Sequence, residues 1–116
     1  MPVPVETALS GSTNGRPIPV VATATPGTTI HTTGASGYEK VWLFASNVTA
    51  AAATLTVEWG GVSDPGDHMV KAYSIPANSL PIPIATGQVV QGSTLVRAFG
   101  GTASAINITG FAIAVR

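Results

Sequence analysis

Along most of the chain, apolar side chains recur at every second residue, the period of a strand half buried in a sheet. Tyr38 to Val48 carries this pattern furthest: Val41, Leu43 and Ala45 share one face, and Trp42, Phe44 and Ser46 the other. Both faces are apolar. That predicts a central strand with one side on the core and the other against a neighbour or another subunit. Thr54 to Trp59 alternates more cleanly, with Leu55, Val57 and Trp59 inward and Thr54, Thr56 and Glu58 outward. Further strands are predicted at Ile18 to Ala24, Thr28 to Thr33, His68 to Ile75, Leu80 to Ala85, Ser93 to Phe99 and Ala103 to Val115. Pro26-Gly27, Gly60-Gly61, Gly100-Gly101 and Ser63-Asp64-Pro65-Gly66-Asp67 supply turns between them.

Helix signals are nearly absent. Nine prolines and thirteen glycines are spread along the chain, leaving few windows of the ~10–12 residues that a helix needs. The run Ala50-Ala51-Ala52-Ala53 is too short to nucleate one. Eight strands predict an all-β, single-domain β-sandwich, and the count is that of a jelly roll. A seven-strand immunoglobulin-like sandwich is the alternative, but its Cys–Trp–Cys signature cannot exist in a chain without cysteine. Pro17 and Pro19 confine the first strand to a sheet edge, and Pro81 and Pro83 make Leu80 to Ala85 an edge or half-paired strand. Residues 1–16, with Pro2, Pro4 and Ser10-Gly11-Ser12-Thr13-Asn14-Gly15, read as an extended arm that forms no ladder and stays mobile until something binds it. The sandwich domain is then 17–116.

Composition changes the picture. Five basic residues (Arg16, Lys40, Lys71, Arg97, Arg116) balance five acidic ones (Glu6, Glu39, Glu58, Asp64, Asp67). Charged residues make up 9% of the chain, against about a quarter in an ordinary soluble domain. Mean hydropathy is +0.38. The charges are scattered singly, so no basic stripe points to nucleic acid and no acidic run to a tail. The least polar stretch, Val48 to Val57, is broken by Thr49, Thr54 and Thr56 and is too short to span a bilayer. Met1-Pro2-Val3-Pro4-Val5-Glu6 has neither a basic n-region nor an apolar h-region, so no secretory signal is expected. Without cysteine there are no disulfides, thiolate zinc sites or cysteine nucleophiles. A surface of Thr, Ser, Ala and Gly this poor in charge is one that copies of the chain, or a larger partner, would cover. The composition points to a building block.

Candidate chemistry is sparse. His31 lies in a Thr-rich strand with no acidic neighbour in sequence, whereas His68 follows Asp64 and Asp67 in an Asp-x-x-Asp-His turn. Such ligands suit several divalent ions, but Asp-Pro-Gly-Asp is what a turn demands without any ion. No metal or cofactor is expected. Serines are many, yet no G-x-S-x-G elbow singles out a nucleophile. Glu39 and Glu58 are the two strand-borne acids that paired-carboxylate chemistry would need; each reads instead as a solvated position or half of an ion pair. The Gly-Gly pairs are followed by no lysine and no helix, so they are not phosphate loops. The sequons at Asn47 and Asn107 are chance patterns without a secretory route. The seven aromatics (Tyr38, Trp42, Phe44, Trp59, Tyr73, Phe99, Phe111) read mostly as core, with Tyr38 the best exposed candidate. No catalytic residue is assigned.

With the strands in place, Glu39-Lys40-Val41-Trp42-Leu43-Phe44-Ala45-Ser46-Asn47-Val48, Thr54-Leu55-Thr56-Val57-Glu58-Trp59-Gly60-Gly61, Leu95-Val96-Arg97-Ala98-Phe99 and Ile106-Asn107-Ile108-Thr109-Gly110-Phe111 invite comparison. From about Tyr38 to the C-terminus the chain resembles the small β-structured virion proteins of tailed bacteriophages, and most of all their capsid decoration (cement) proteins. The resemblance is one of pattern. It implies a non-enzymatic virion protein that binds the outer face of an assembled shell of major capsid protein, often as a homotrimer. Two contacts are expected: Val3, Val5, Leu9 and Ile18 of the arm on the shell, and the Trp42 and Phe44 face on another subunit. The rival from a different class is a receptor- or glycan-binding module of a phage fibre or tail, which needs a pocket around Tyr38, His68 and Tyr73. A tail or connector subunit is a third reading.

Overall fold

A computed structural model describes residues 3–115; Met1 and Pro2 of the expected arm, and Arg116, lie outside the described residues. Nine strands follow one another: β1 (Pro4–Ala8), β2 (Ile18–Pro19), β3 (Thr28–Thr32), β4 (Tyr38–Asn47), β5 (Ala53–Trp59), β6 (His68–Ile75), β7 (Ile82–Val90), β8 (Leu95–Gly100) and β9 (Ile106–Val115). One sheet has the order β1-β9-β4-β7, with β2 also on β9; the other runs β3-β8-β5-β6.

The pairings β2–β9, β3–β8, β4–β7 and β5–β6 are all antiparallel and nested one inside the next. The chain is therefore one long hairpin, bent at the β5–β6 connection and rolled up on itself. The roll closes through β4–β9 and β5–β8, which is jelly-roll connectivity. The expected all-β sandwich is what the chain forms. β4 is central, between β9 and β7, and β7 is an edge strand, as the prolines required.

Between the sheets the core is purely aliphatic. Val41, Leu43 and Ala45 of β4 meet Leu55 and Val57 of β5, Val96 of β8, and Ile106 and Ile108 of β9, all at most 1% exposed. None of the seven aromatics is buried, contrary to the expectation that most would be core; Trp59 alone is partly buried against it. Stacked Leu, Ile, Val and Ala fill the gap between the two sheets instead.

The N-terminal segment departs from the expected free arm. It is extended, but Pro4 to Ala8 pairs residue by residue with Val115 to Phe111. β1 and β2 lie along the same edge of β9, so together they act as one edge strand interrupted by the corner at 9–17. Leu9 is 2% exposed and Ile18 5% exposed, and both belong to the core. The predicted strand from Ile18 to Ala24 ends at Pro19. Beyond it the chain crosses to the other sheet, and the Val21 and Ala22 N–H groups donate to Thr28 Oγ1 rather than to a ladder.

Candidate interaction face

On β4 the residues alternating with the core set are Tyr38, Lys40, Trp42, Phe44 and Ser46, and they form the outer face of the five-stranded sheet. The register sets their neighbours: Val115, Ile113, Phe111, Thr109 and Asn107 of β9 lie beside them in turn. On the far side of β9, Pro4 pairs with Val115, Glu6 with Ile113 and Ala8 with Phe111. Four of the seven aromatics thus share one face. Trp42 and Phe111 stack with ring centroids 4.8 Å apart and planes 7° from parallel.

Two glycines make room for this stack. A Cβ at Gly87 of β7 would come within 3.0 Å of the Trp42 ring, and one at Gly110 within 2.0 Å of the Trp42 carbonyl oxygen. Gly110 also has φ 151°, at the limit of what an L side chain adopts. Phe111 and Tyr38 are 36% exposed and Val89 of β7 is 55% exposed. Among the described residues, Glu6 and Lys40 are the charged ones on this face, flanking Ile113 in a single row.

The expected shell-contact set divides. Leu9 and Ile18 are buried in the core and offer nothing to a partner, because each faces inward from the β9 edge. Val3 and Val5 remain exposed, at 61% and 50%. Of the expected subunit contact, Trp42 and Phe44 are half-buried on the outer face, as the alternation required.

The polar groups elsewhere tie the fold together. Glu58 was expected to face solvent. It does point away from the core, but it is fully buried because the chain at 25–27 folds over it. The Thr25 hydroxyl donates to its Oε2 at 2.5 Å and the Gly27 N–H to its Oε1 at 2.7 Å. Glu39 pairs with His31, Nε2 to Oε1 at 2.6 Å, both buried. The Ser10 N–H donates to His31 Nδ1 at 3.0 Å, so that nitrogen is unprotonated and Nε2 carries the hydrogen. The Gly34 N–H holds the other Glu39 oxygen at 2.7 Å. The Ser10 hydroxyl accepts from the Thr32 N–H, so this set pins the corner after β1 to β3 and β4. Sequence offered no signal for it, since Glu39 meets His31 only through the fold.

At the 63–68 turn, Lys71 Nζ lies 2.9 and 3.0 Å from the two Asp64 oxygens. That hydrogen bond, with lesser help from the Lys71 and His68 charges, holds the Asp64 carboxyl below its ordinary range. Asp67 accepts from the Ser63 N–H, a turn role. His68 Nδ1 is 3.5 Å from Asp64, and its ring packs edge-on against Phe99 at 6.2 Å. Among the described residues, no three His, Cys, Asp or Glu side chains are grouped as a metal site requires.

The pocket that a glycan-binding reading requires does not form from its three residues. His68 lines a depression with Trp59, Met69 and Gln88, Tyr73 a different one with Val70, Ile82 and Ile84, and Tyr38 belongs to neither. Asn47, the first sequon, is 1% exposed, its amide donating to the Ala51 and Ile75 carbonyls, and is closed to glycosylation. Comparisons with protein-family models, with curated proteins and with solved structures find no match to this chain.

Proposed function

We propose that this protein is a non-enzymatic structural subunit of a phage virion, a decoration protein that binds the outer surface of an assembled capsid as a homo-oligomer and stabilises it. Three copies is the number that the resemblance implies. The observation that carries the reading is the placement of the aromatics. Large rings cost solvation free energy when left wet, and they are the residues that protein interfaces draw to their centres. Here the core is aliphatic, and four rings gather on one nearly uncharged sheet face. A face of that kind is worth most when a second protein covers it.

The Trp42, Phe44 and Phe111 face is the subunit contact in this reading. The shell contact falls to Val3 and Val5, the exposed apolar residues at the start of β1. Each bound copy would favour the assembled shell by mass action, and many identical weak contacts would add through multivalency. The test is size-exclusion chromatography with light scattering, run with and without expanded DNA-free tailed-phage shells. A small stable oligomer that comigrates with shells supports the reading. A monomer that ignores shells defeats it and moves glycan arrays to the front. Val3→Asp/Val5→Asp should abolish comigration while leaving the oligomer intact.

A further inference from the structure

We propose that the outer face of the β1-β9-β4-β7 sheet mates with the same face of a second copy across a two-fold axis running along β9. The proposal rests on the reading of this face as a subunit contact, and it replaces the three-fold count with a pair. The argument comes from the rows of the register. β1 and β4 flank β9 on its two sides. A two-fold axis above β9 and parallel to it would therefore lay β1 of one copy over β4 of the other, with the two β9 strands facing each other. Two sheets stacked this way have aligned strands, one of the two packings that sheet faces favour.

Each of the three rows that β1 completes is then self-complementary. In the first, Pro4, Val115 and Tyr38 lie side by side, so Tyr38 meets the partner's Pro4. In the second, Glu6, Ile113 and Lys40 do so, and Glu6 of each copy meets Lys40 of the other over a central pair of Ile113 side chains. In the third, Ala8, Phe111 and Trp42 set the largest side chain on the face opposite one of the smallest. The two charged residues that the face carries among the described residues have opposite sign and sit equidistant from β9. That arrangement neutralises both only when a copy of the same face is the partner; any other partner would have to supply its own matching pair. Isologous contacts of this kind are the commonest in homo-oligomers. The strands that overlap under this axis, β9 on β9 and the five residues of β1 on β4 at each flank, cover roughly 330 Å² of flat area before side-chain relief is counted, the range of a small interface.

The test is a charge-reversal cycle on the full chain, read by sedimentation equilibrium. Wild type should be a dimer. Glu6→Lys and Lys40→Glu should each weaken it by at least about tenfold, because each creates two like-charge contacts across the axis. The double reversal should restore wild-type affinity. Ile113→Cys supplies a second measurement, since it would be the only cysteine in the chain: a short bismaleimide should link two copies in high yield. A double reversal no better than the singles would overturn the two-fold mating. A trimer that Phe44→Asp dissociates but the charge reversals do not touch would also overturn it, while leaving the face as the subunit contact. A monomer at every concentration would overturn both readings.

Discussion

At the scale of single residues, burial and pairing set the size of each expected effect. Glu58→Ala would leave the Gly27 N–H and the Thr25 hydroxyl without their acceptor at a part-buried site. Thr25 is exposed and its hydroxyl can turn to water, so the half-buried Gly27 N–H is the group stranded, and a loss of about 1–3 kcal/mol is expected in urea denaturation. Gly110→Ala drives a methyl group into the Trp42 carbonyl. It should lower the melting temperature by more than any substitution at Gly15, where nothing lies within 4 Å. Lys71→Met removes the hydrogen bond that depresses Asp64, and an NMR titration should find the Asp64 midpoint moved up toward its ordinary 3.8. A depressed carboxyl adds stability above its unfolded value and loses it as pH falls through the folded one. Asp64 is exposed and its pair with Lys71 is open to solvent, so Lys71→Met should flatten only slightly the acid side of the stability profile.

At the scale of elements, the N-terminal segment is the most consequential departure from expectation. β1 supplies five residues of ladder to β9, and Leu9 anchors its far end in the core. Leu9→Ala should cost about 2–5 kcal/mol. Deleting 1–9 should go further and expose the Phe111 to Val115 edge of β9, read as lost hydrogen-exchange protection along that strand. An unchanged exchange pattern would mean that β1 is dispensable. The His31–Glu39 pair adds a second tie to the same corner, because the Ser10 N–H depends on an unprotonated Nδ1.

At the scale of the whole molecule, the sandwich buries aliphatic side chains and sets four of its seven rings on one outer face, so its behaviour depends on what covers that face. Phe44→Asp should yield a folded monomer, with an unchanged circular dichroism spectrum and a single-chain mass by light scattering. An intact oligomer would locate the contact elsewhere. The Glu6 and Lys40 row distinguishes one mode of contact from others at this same scale, since no monomeric property depends on which of the two carries which sign.

Strand positions and inward faces were legible in the chain because the two-residue alternation of a strand is local: Val41, Leu43 and Ala45 declare their face without reference to any partner. Turn residues are equally local, and with them the all-β class follows. What covers an outward face is not local. Thr56 and Glu58 alternate as solvent positions do, yet the chain at 25–27 closes over Glu58 from more than thirty residues away. Pro4 to Ala8 looked like a free arm because its ladder partner lies over a hundred residues downstream, and no short window contains both. His31 and Glu39 are only eight residues apart, but they sit on different sheets, β3 and β4, and meet only once the sandwich closes. The sequence alone determined which residues alternate and where the chain turns. Tertiary structure decided which edges pair, which polar groups are sealed, and that the buried core is aliphatic while four of the seven aromatics gather on one outer face, because hydrogen-bond partners and close packing are chosen across the fold.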